Sequence, residues 1–150
     1  MSNEENRTHL TAITRKKLSA PCKYLKNQGL LQGRILDYGC GRGEDCSLLH
    51  EEGFNIRGYD PHYRPVLPKG RFDTICCTYV LNVIPDVEER EAVLISIRNK
   101  LKKISKAYVT VRAKVKEGWT KRGTWQGNIF LDLPLLTSNS GFRIYVLEGK

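Results

Sequence analysis

Apolar residues fall along this chain in short runs, separated by stretches where they recur at three- and four-residue steps. Residues 34–38 (RILDY), 54–60 (FNIRGYD), 72–80 (FDTICCTYV) and 107–111 (AYVTV) read as strands, the third apolar enough for burial on both faces. Ser19-Ala20-Pro21 predicts a helix start with proline in the first turn, and Gly29 its stop. Residues 44–52 predict a second helix, ended by Gly53. Asp86 caps a third, with Glu89 three residues later at the spacing of a capping box. There Val87, Leu94, Ile97, Leu101 and Ile104 form one apolar stripe, which carries the helix through residue 104. Residues 131–140 predict a short helix and 142–147 a last strand. Strands alternating with helices imply parallel βαβ units, hence an α/β fold with an open, mostly parallel sheet and helices on both faces.

The 150 residues, 40% hydrophobic, suit one domain with a single core, the first ten residues loosely ordered. No apolar run reaches the ~20 residues of a membrane span, so no membrane partner is expected. The polar start MSNEENRTHLTAITRKK lacks the apolar centre of a secretory signal. Five scattered cysteines form neither a disulfide framework nor a metal-binding pattern, and His9, His50 and His62 lie far apart. A cytoplasmic protein with reduced thiols and no metal is the expectation. The net charge is +9, and residues 98–125 hold ten Lys or Arg against Glu117 alone. Such a stretch reads either as a basic surface for a nucleic-acid partner or as a solvated face.

In ILDYGCGRG, residues 35–43, glycines at Gly39, Gly41 and Gly43 follow a strand directly. In an open parallel sheet the loop after the first strand lies at the ligand end. Glycines there let the backbone turn tightly and approach a ligand. Asp60 closes the second strand 21 residues beyond Gly39, where a carboxylate meets ribose hydroxyls. The loop is GxGxG rather than GxGxxG, and Glu44 and Asp45 at the helix start would repel a pyrophosphate. A ligand with ribose but no phosphate fits better. With Asp37 receiving a cationic amino-acid group, that ligand is S-adenosylmethionine.

LDYGCGRGEDCSLL, GYD and FDTICCTYVLNVI resemble three motifs of class I S-adenosylmethionine-dependent methyltransferases. The resemblance implies a compact Rossmann-like domain with S-adenosylmethionine held by Asp37, Gly39, Cys40, Gly41, Gly43, Asp60 and Pro61. More narrowly, RTHLTAITRKKLSAP, DYGCGRGEDC, GYDPHYRP, YVLNVIPDVEERE and TKRGTWQ, through residues 7–126, resemble methyltransferases associated with DNA phosphorothioation gene clusters. Two departures stand out. Only eleven residues, 61–71, separate Asp60 from Phe72, too few for the usual helix and strand. The adenine pocket is then expected from Pro61, Tyr63 and Arg71 or Phe72. One strand after residue 141 also falls short of the family's terminal two-stranded hairpin.

Methyl transfer asks chiefly for in-line positioning of a nucleophile, sometimes with a base. The segment 78–85 (TYVLNVIP) is not the [DN]PPY of amino-methylating DNA enzymes. Asn82 and Tyr79 are the catalytic candidates, facing the methyl, although Asn82 also suits a turn or cap. Cys76 and Cys77 lie inside an apolar strand and read as structural. His62 is either a base or a surface histidine. In WTKRGTWQ, Trp119 and Trp125 can stack bases while Lys121 and Arg122 meet phosphates. The same loop could instead be a lid folded on the core by Trp125. Acceptors other than nucleic acid, and a non-catalytic subunit with a protein partner, remain competing readings.

Overall fold

A computed structural model describes residues 17–150. The expectation for the first ten residues lies outside that range.

Helix α1 (Ala20–Asn27) begins as its sequence requires. The Ser19 hydroxyl accepts from the Cys22 N–H, and Pro21 occupies the first turn. Gly29, at φ +71°, ends it. Strand β1 (Arg34–Tyr38) leads through the glycine loop to α2 (Glu44–Glu51), then β2 (Asn55–Tyr59). Strand β3 (Phe72–Thr78) is followed by a 3₁₀ turn (Leu81–Val83), helix α3 (Val87–Lys100) and β4 (Leu101–Arg112). A small hairpin, β5 (Gly118–Trp119) and β6 (Trp125–Gln126), precedes β7 (Leu135–Ser138) and β8 (Phe142–Glu148).

The six-stranded sheet runs β2-β1-β3-β4-β8-β7. The first four strands are parallel, and β8 and β7 add antiparallel at one edge. Helices cover both faces. Cys22 and Leu25 of α1 and Cys46 and Leu49 of α2 pack on Ile35, Ile56, Cys76, Tyr108 and Ile144. Ile97 of α3 packs on the opposite face with Leu36, Ile75, Cys77, Val109 and Leu147. Alternate residues of β1 and β3 thus feed opposite faces, as the pleat requires.

Three expectations are corrected. Helix α3 stops at Lys100 and β4 begins at Leu101. Ile104, counted in the helical stripe, is 75% exposed at φ +62°, and Val87 at the other end is 59% exposed. Pairing of Leu101 beside Phe72 outweighs the helical period at that point. The short helix read from 131–140 is strand β7, and the terminal hairpin is complete. Asn139 closes its turn, its Oδ1 accepting from the Gly141 and Phe142 N–H groups.

The segment 61–71 takes no helix or strand of its own and leaves β2 at the sheet edge. Its far end is pinned by Arg34, whose guanidinium donates to the Lys69 and Arg71 carbonyls, and by Lys100, which donates to the Pro68 carbonyl.

Candidate active site

The glycine loop leaves β1 at the carboxyl ends of the parallel strands. Gly39 and Cys40 donate their N–H groups to the Tyr59 carbonyl, binding the loop to the end of β2. Gly39, Gly41 and Gly43 all have positive φ, at 84°, 57° and 84°. A Cβ on Gly39 would stand 2.3 Å from Val80 Cγ2, so only glycine fits between the loop and the turn after β3. Gly43 is the N-cap of α2, with the Arg64 guanidinium against it.

Asp60 organises the other side. Its Oδ2 accepts from the Gly41 N–H at 3.0 Å, while Oδ1 accepts from His62 at 2.9 Å and Tyr63 at 3.1 Å. Backbone bonds between Asp60 and Arg64 in both directions close this turn. A carboxylate has about four acceptor positions, so three are filled and one is left for a ligand hydroxyl. Asp37 is buried on the α1–α2 face of β1, with the Cys46 thiol donating to its Oδ2 at 3.7 Å. Next to it, burial raises the Tyr38 phenol above its ordinary pKa, and its hydroxyl bonds Ser96 Oγ at 3.0 Å. The two carboxylates expected from the sequence therefore do flank the glycine loop, Asp37 below it and Asp60 beside it.

The structure places the remaining candidates unequally. Pro61 is exposed just beyond Asp60, and Tyr63 is half-buried with the Arg42 guanidinium 5.8 Å from its ring centroid. Arg71 and Phe72 are corrected. They stand at the amino end of β3, opposite the glycine loop, with Phe72 wholly buried under Arg34 and Lys100. An adenine at the loop is out of their reach, because β3 runs its full length in between.

Tyr79 follows β3 with φ +60°, a strained conformation for a residue with a Cβ and one found at functional sites. The Arg112 guanidinium lies 4.3 Å from its ring centroid. Its ring packs with the α1–α2 face, whereas Asn82 turns toward the hairpin. Asn82 is fully buried; its Nδ2 donates to Gln126 Oε1 at 3.1 Å and its carbonyl accepts from the Gly127 N–H at 2.8 Å. Its Oδ1 has no partner. The sequence reading missed Gln126, whose only signal was its place at the end of the WTKRGTWQ loop.

That loop is the β5–β6 hairpin, with Trp119 opposite Trp125. Trp125 packs against the core with Arg90 above its ring, while Trp119 is 53% exposed. The two readings of the loop thus divide between its tryptophans. Lys121 and Arg122 are exposed at its turn. The continuous basic surface expected over 98–125 is split by the twelve-residue β4. Lys102 and Lys103 lie at its amino end, in the irregular stretch beside Phe72, about 20 Å from Thr110 at strand rise, and Lys106 lies mid-strand beside Thr74. Lys102 pairs there with Asp73 at 2.9 Å.

Cys76 and Cys77 are buried in β3, and burial pushes both thiols up in pKa, against a thiolate role. His62 is exposed, its ring edge-on to Tyr63. Among the described residues no group of His, Cys, Asp or Glu could hold a metal ion. No helix among them is long and apolar enough to cross a membrane.

A methyltransferase-domain family model matches residues 5–130. The chain belongs to the methyltransferase-domain family. Solved structures agree on the fold. A 1,6-didemethyltoxoflavin N1-methyltransferase of Burkholderia thailandensis, bound to S-adenosylhomocysteine, superposes with TM-score 0.65 at 13% identity, over 87% of this chain and 77% of that one. Magnesium protoporphyrin IX methyltransferase of Synechocystis PCC 6803, also bound to S-adenosylhomocysteine, gives 0.58 at 15% identity, over 99% and 94%. A structure solved for the conversion of a disulfide bond into a thioacetal group in echinomycin biosynthesis gives 0.55 at 20%. The match covers 65% of this chain, which spans half the length of that protein. No curated protein matches the sequence.

The residues present fit S-adenosylmethionine. Gly39 and Gly41 leave the backbone bare, Asp60 keeps one acceptor position, and Asp37 offers a carboxylate to an ammonium group. Glu44 and Asp45 open α2, where their charge opposes a phosphate.

Proposed function

We propose that this chain is an S-adenosylmethionine-dependent methyltransferase. The observation that carries the reading is the Asp60–Gly41 bond. It joins a strand-end carboxylate to a glycine loop at the switch point of a parallel sheet, with Asp37 buried beneath. Asp60 would hold the ribose, Asp37 the amino group, and Gly39, Cys40, Gly41, Gly43 and Pro61 the surrounding cradle. The cofactor supplies an electrophilic methyl on its sulfonium. The chain's own residues bind and orient it, and the 3₁₀ turn with Tyr79 and Asn82 borders the acceptor side.

For the acceptor, the reading preferred is a nucleic acid. Trp119, Lys121 and Arg122 project from a hairpin that Asn82 anchors at the ligand end of the sheet, stacking surface beside positive charge. One feature supports a small-molecule acceptor instead. A groove of about 360 Å³ between the start of α3 and residues 128–131 has Val87, Leu94, Ile129 and Phe130 as apolar lining and Glu91 and Glu117 as acids. The deciding experiment incubates the protein with methyl-labelled cofactor and separate DNA, RNA, protein and small-molecule fractions of a cell extract. Label in DNA or RNA supports the preferred reading; label in the small-molecule fraction alone moves the groove to first place. S-adenosylhomocysteine binding without transfer to any fraction would mark a cofactor-binding subunit completed by a partner.

A further inference from the structure

Gly58 sits inside strand β2 without a positive φ, so its backbone does not require glycine. A glycine inside a strand loses packing and costs entropy, and it marks a close approach by something else. What approaches is sulfur. A Cβ at Gly58 would stand 2.7 Å from Cys40 Sγ and 3.1 Å from Cys46 Sγ. The missing side chain opens a space that two thiols share, one from the glycine loop and one from the first turn of α2. Both also have partners that matter to the cofactor. Cys46 donates to Asp37 Oδ2 at 3.7 Å, and Cys40 donates to the Gly41 carbonyl at 3.6 Å. Cys40 is partly open to solvent, whereas Cys22, Cys46, Cys76 and Cys77 are buried.

We propose that Cys40 and Cys46 are a thiol pair that hydroperoxides oxidise to a disulfide, which weakens binding at the glycine loop. The chemistry balances with hydrogen peroxide as the oxidant. Cys40 sulfur attacks one peroxide oxygen, the O–O bond breaks, and the first water leaves with the thiol proton, giving a sulfenic acid. Cys46, whose thiol the Cys40 hydrogen bond and burial raise in pKa so that it is no free thiolate, then attacks the Cys40 sulfur as Asp37 draws off its proton. The S–S bond forms, the S–O bond breaks, and the hydroxyl leaves as a second water with the Cys46 proton. Asp37, already the acceptor for that thiol, is placed to pass the proton on. The two thiols lose two electrons to the peroxide, and a dithiol reverses the step.

Closing the bond removes the hydrogen that Cys46 gives Asp37 and ties the loop to α2 at residues 40 and 46. This consequence rests on the S-adenosylmethionine reading of the site. Treating the full chain with hydrogen peroxide should lower its free thiols from five to three. Peptide mass spectrometry should find residues 40 and 46 linked with loss of two hydrogens, and dithiothreitol should restore both thiols. The affinity for S-adenosylhomocysteine, measured by calorimetry, should fall about tenfold in the linked form, the equivalent of one hydrogen bond to a charged group. Cys46→Ser, and separately Cys40→Ser, should remove the crosslink and the reversible change in affinity. A thiol count that stays at five, higher oxides without the 40–46 link, or a linked protein with unchanged affinity would each overturn the proposal. So would the same reversible loss of affinity in Cys46→Ser. If the reduced protein ignores S-adenosylhomocysteine altogether, the cofactor reading fails, and the mass of the linked peptide still reports on the pair separately.

Discussion

Replacing Asp60 by Asn separates a turn-forming carboxylate from a ligand-binding one. All three groups around Asp60 are backbone donors, from Gly41, His62 and Tyr63. An amide has one acceptor oxygen and one donor nitrogen, so it cannot satisfy both sides. With its oxygen toward His62 and Tyr63, its NH₂ meets the Gly41 N–H and that bond is lost. Turned round, it loses two. A hydrogen bond to a charged group contributes about 1.5–3 kcal/mol. Asp60→Asn should therefore weaken S-adenosylhomocysteine binding roughly ten- to hundredfold. Asp60→Ala removes the loop support and the free acceptor position together, so it should weaken binding at least as much. Because the carboxylate holds three backbone groups, some loss of melting temperature is expected in both variants. Calorimetric titration paired with thermal unfolding checks the two effects separately. An Asn variant that melts lower yet binds at wild-type affinity would show that Asp60 only shapes the turn.

Three further outcomes can be measured. Gly39→Ala should impair cofactor binding through the collision with Val80. Adding Val80→Ala should recover part of it, leaving the cost of about 1–2 kcal/mol for a Cβ at positive φ; titrations of single and double variants decide this, and no recovery would mean that Val80 is not the obstacle. If the hairpin meets phosphates, Lys121→Ala with Arg122→Ala should flatten the slope of log affinity against log salt by about one to two units. Lys102→Ala and Lys103→Ala, toward the amino end of β4, should leave that slope unchanged; equal effects from the two pairs would argue for one basic surface after all. Asp73 is held below the ordinary carboxylate pKa by the Arg34 N–H and by Lys102. Its contribution to stability is present above the unfolded value near 4 and is lost as pH falls through the lower folded value. Unfolding midpoints of Asp73→Asn should accordingly fall less steeply than wild type in that acid range, and parallel curves would remove Asp73 from the acid response.

The sequence by itself determined the features that depend on near neighbours. Ser19 and Pro21 start α1, alternation and apolar runs mark β1 to β3, and the three glycines after β1 announce a ligand loop, because these are local backbone preferences. The spacing from Gly39 to Asp60 was legible for the same reason, since one helix and one strand fix it. Tertiary structure decided what depends on distant partners. Leu101 could continue a helix or begin a strand, and pairing beside Phe72 made it a strand. Residues 135–138 carry no strong period of their own and become β7 only beside β8. The basic stretch looked continuous because sequence distance does not show that β4 stands between its two ends. Gln126 gained a role only when the fold set it against Asn82, 44 positions away, and Gly58 only when two sulfurs came to share its vacant side.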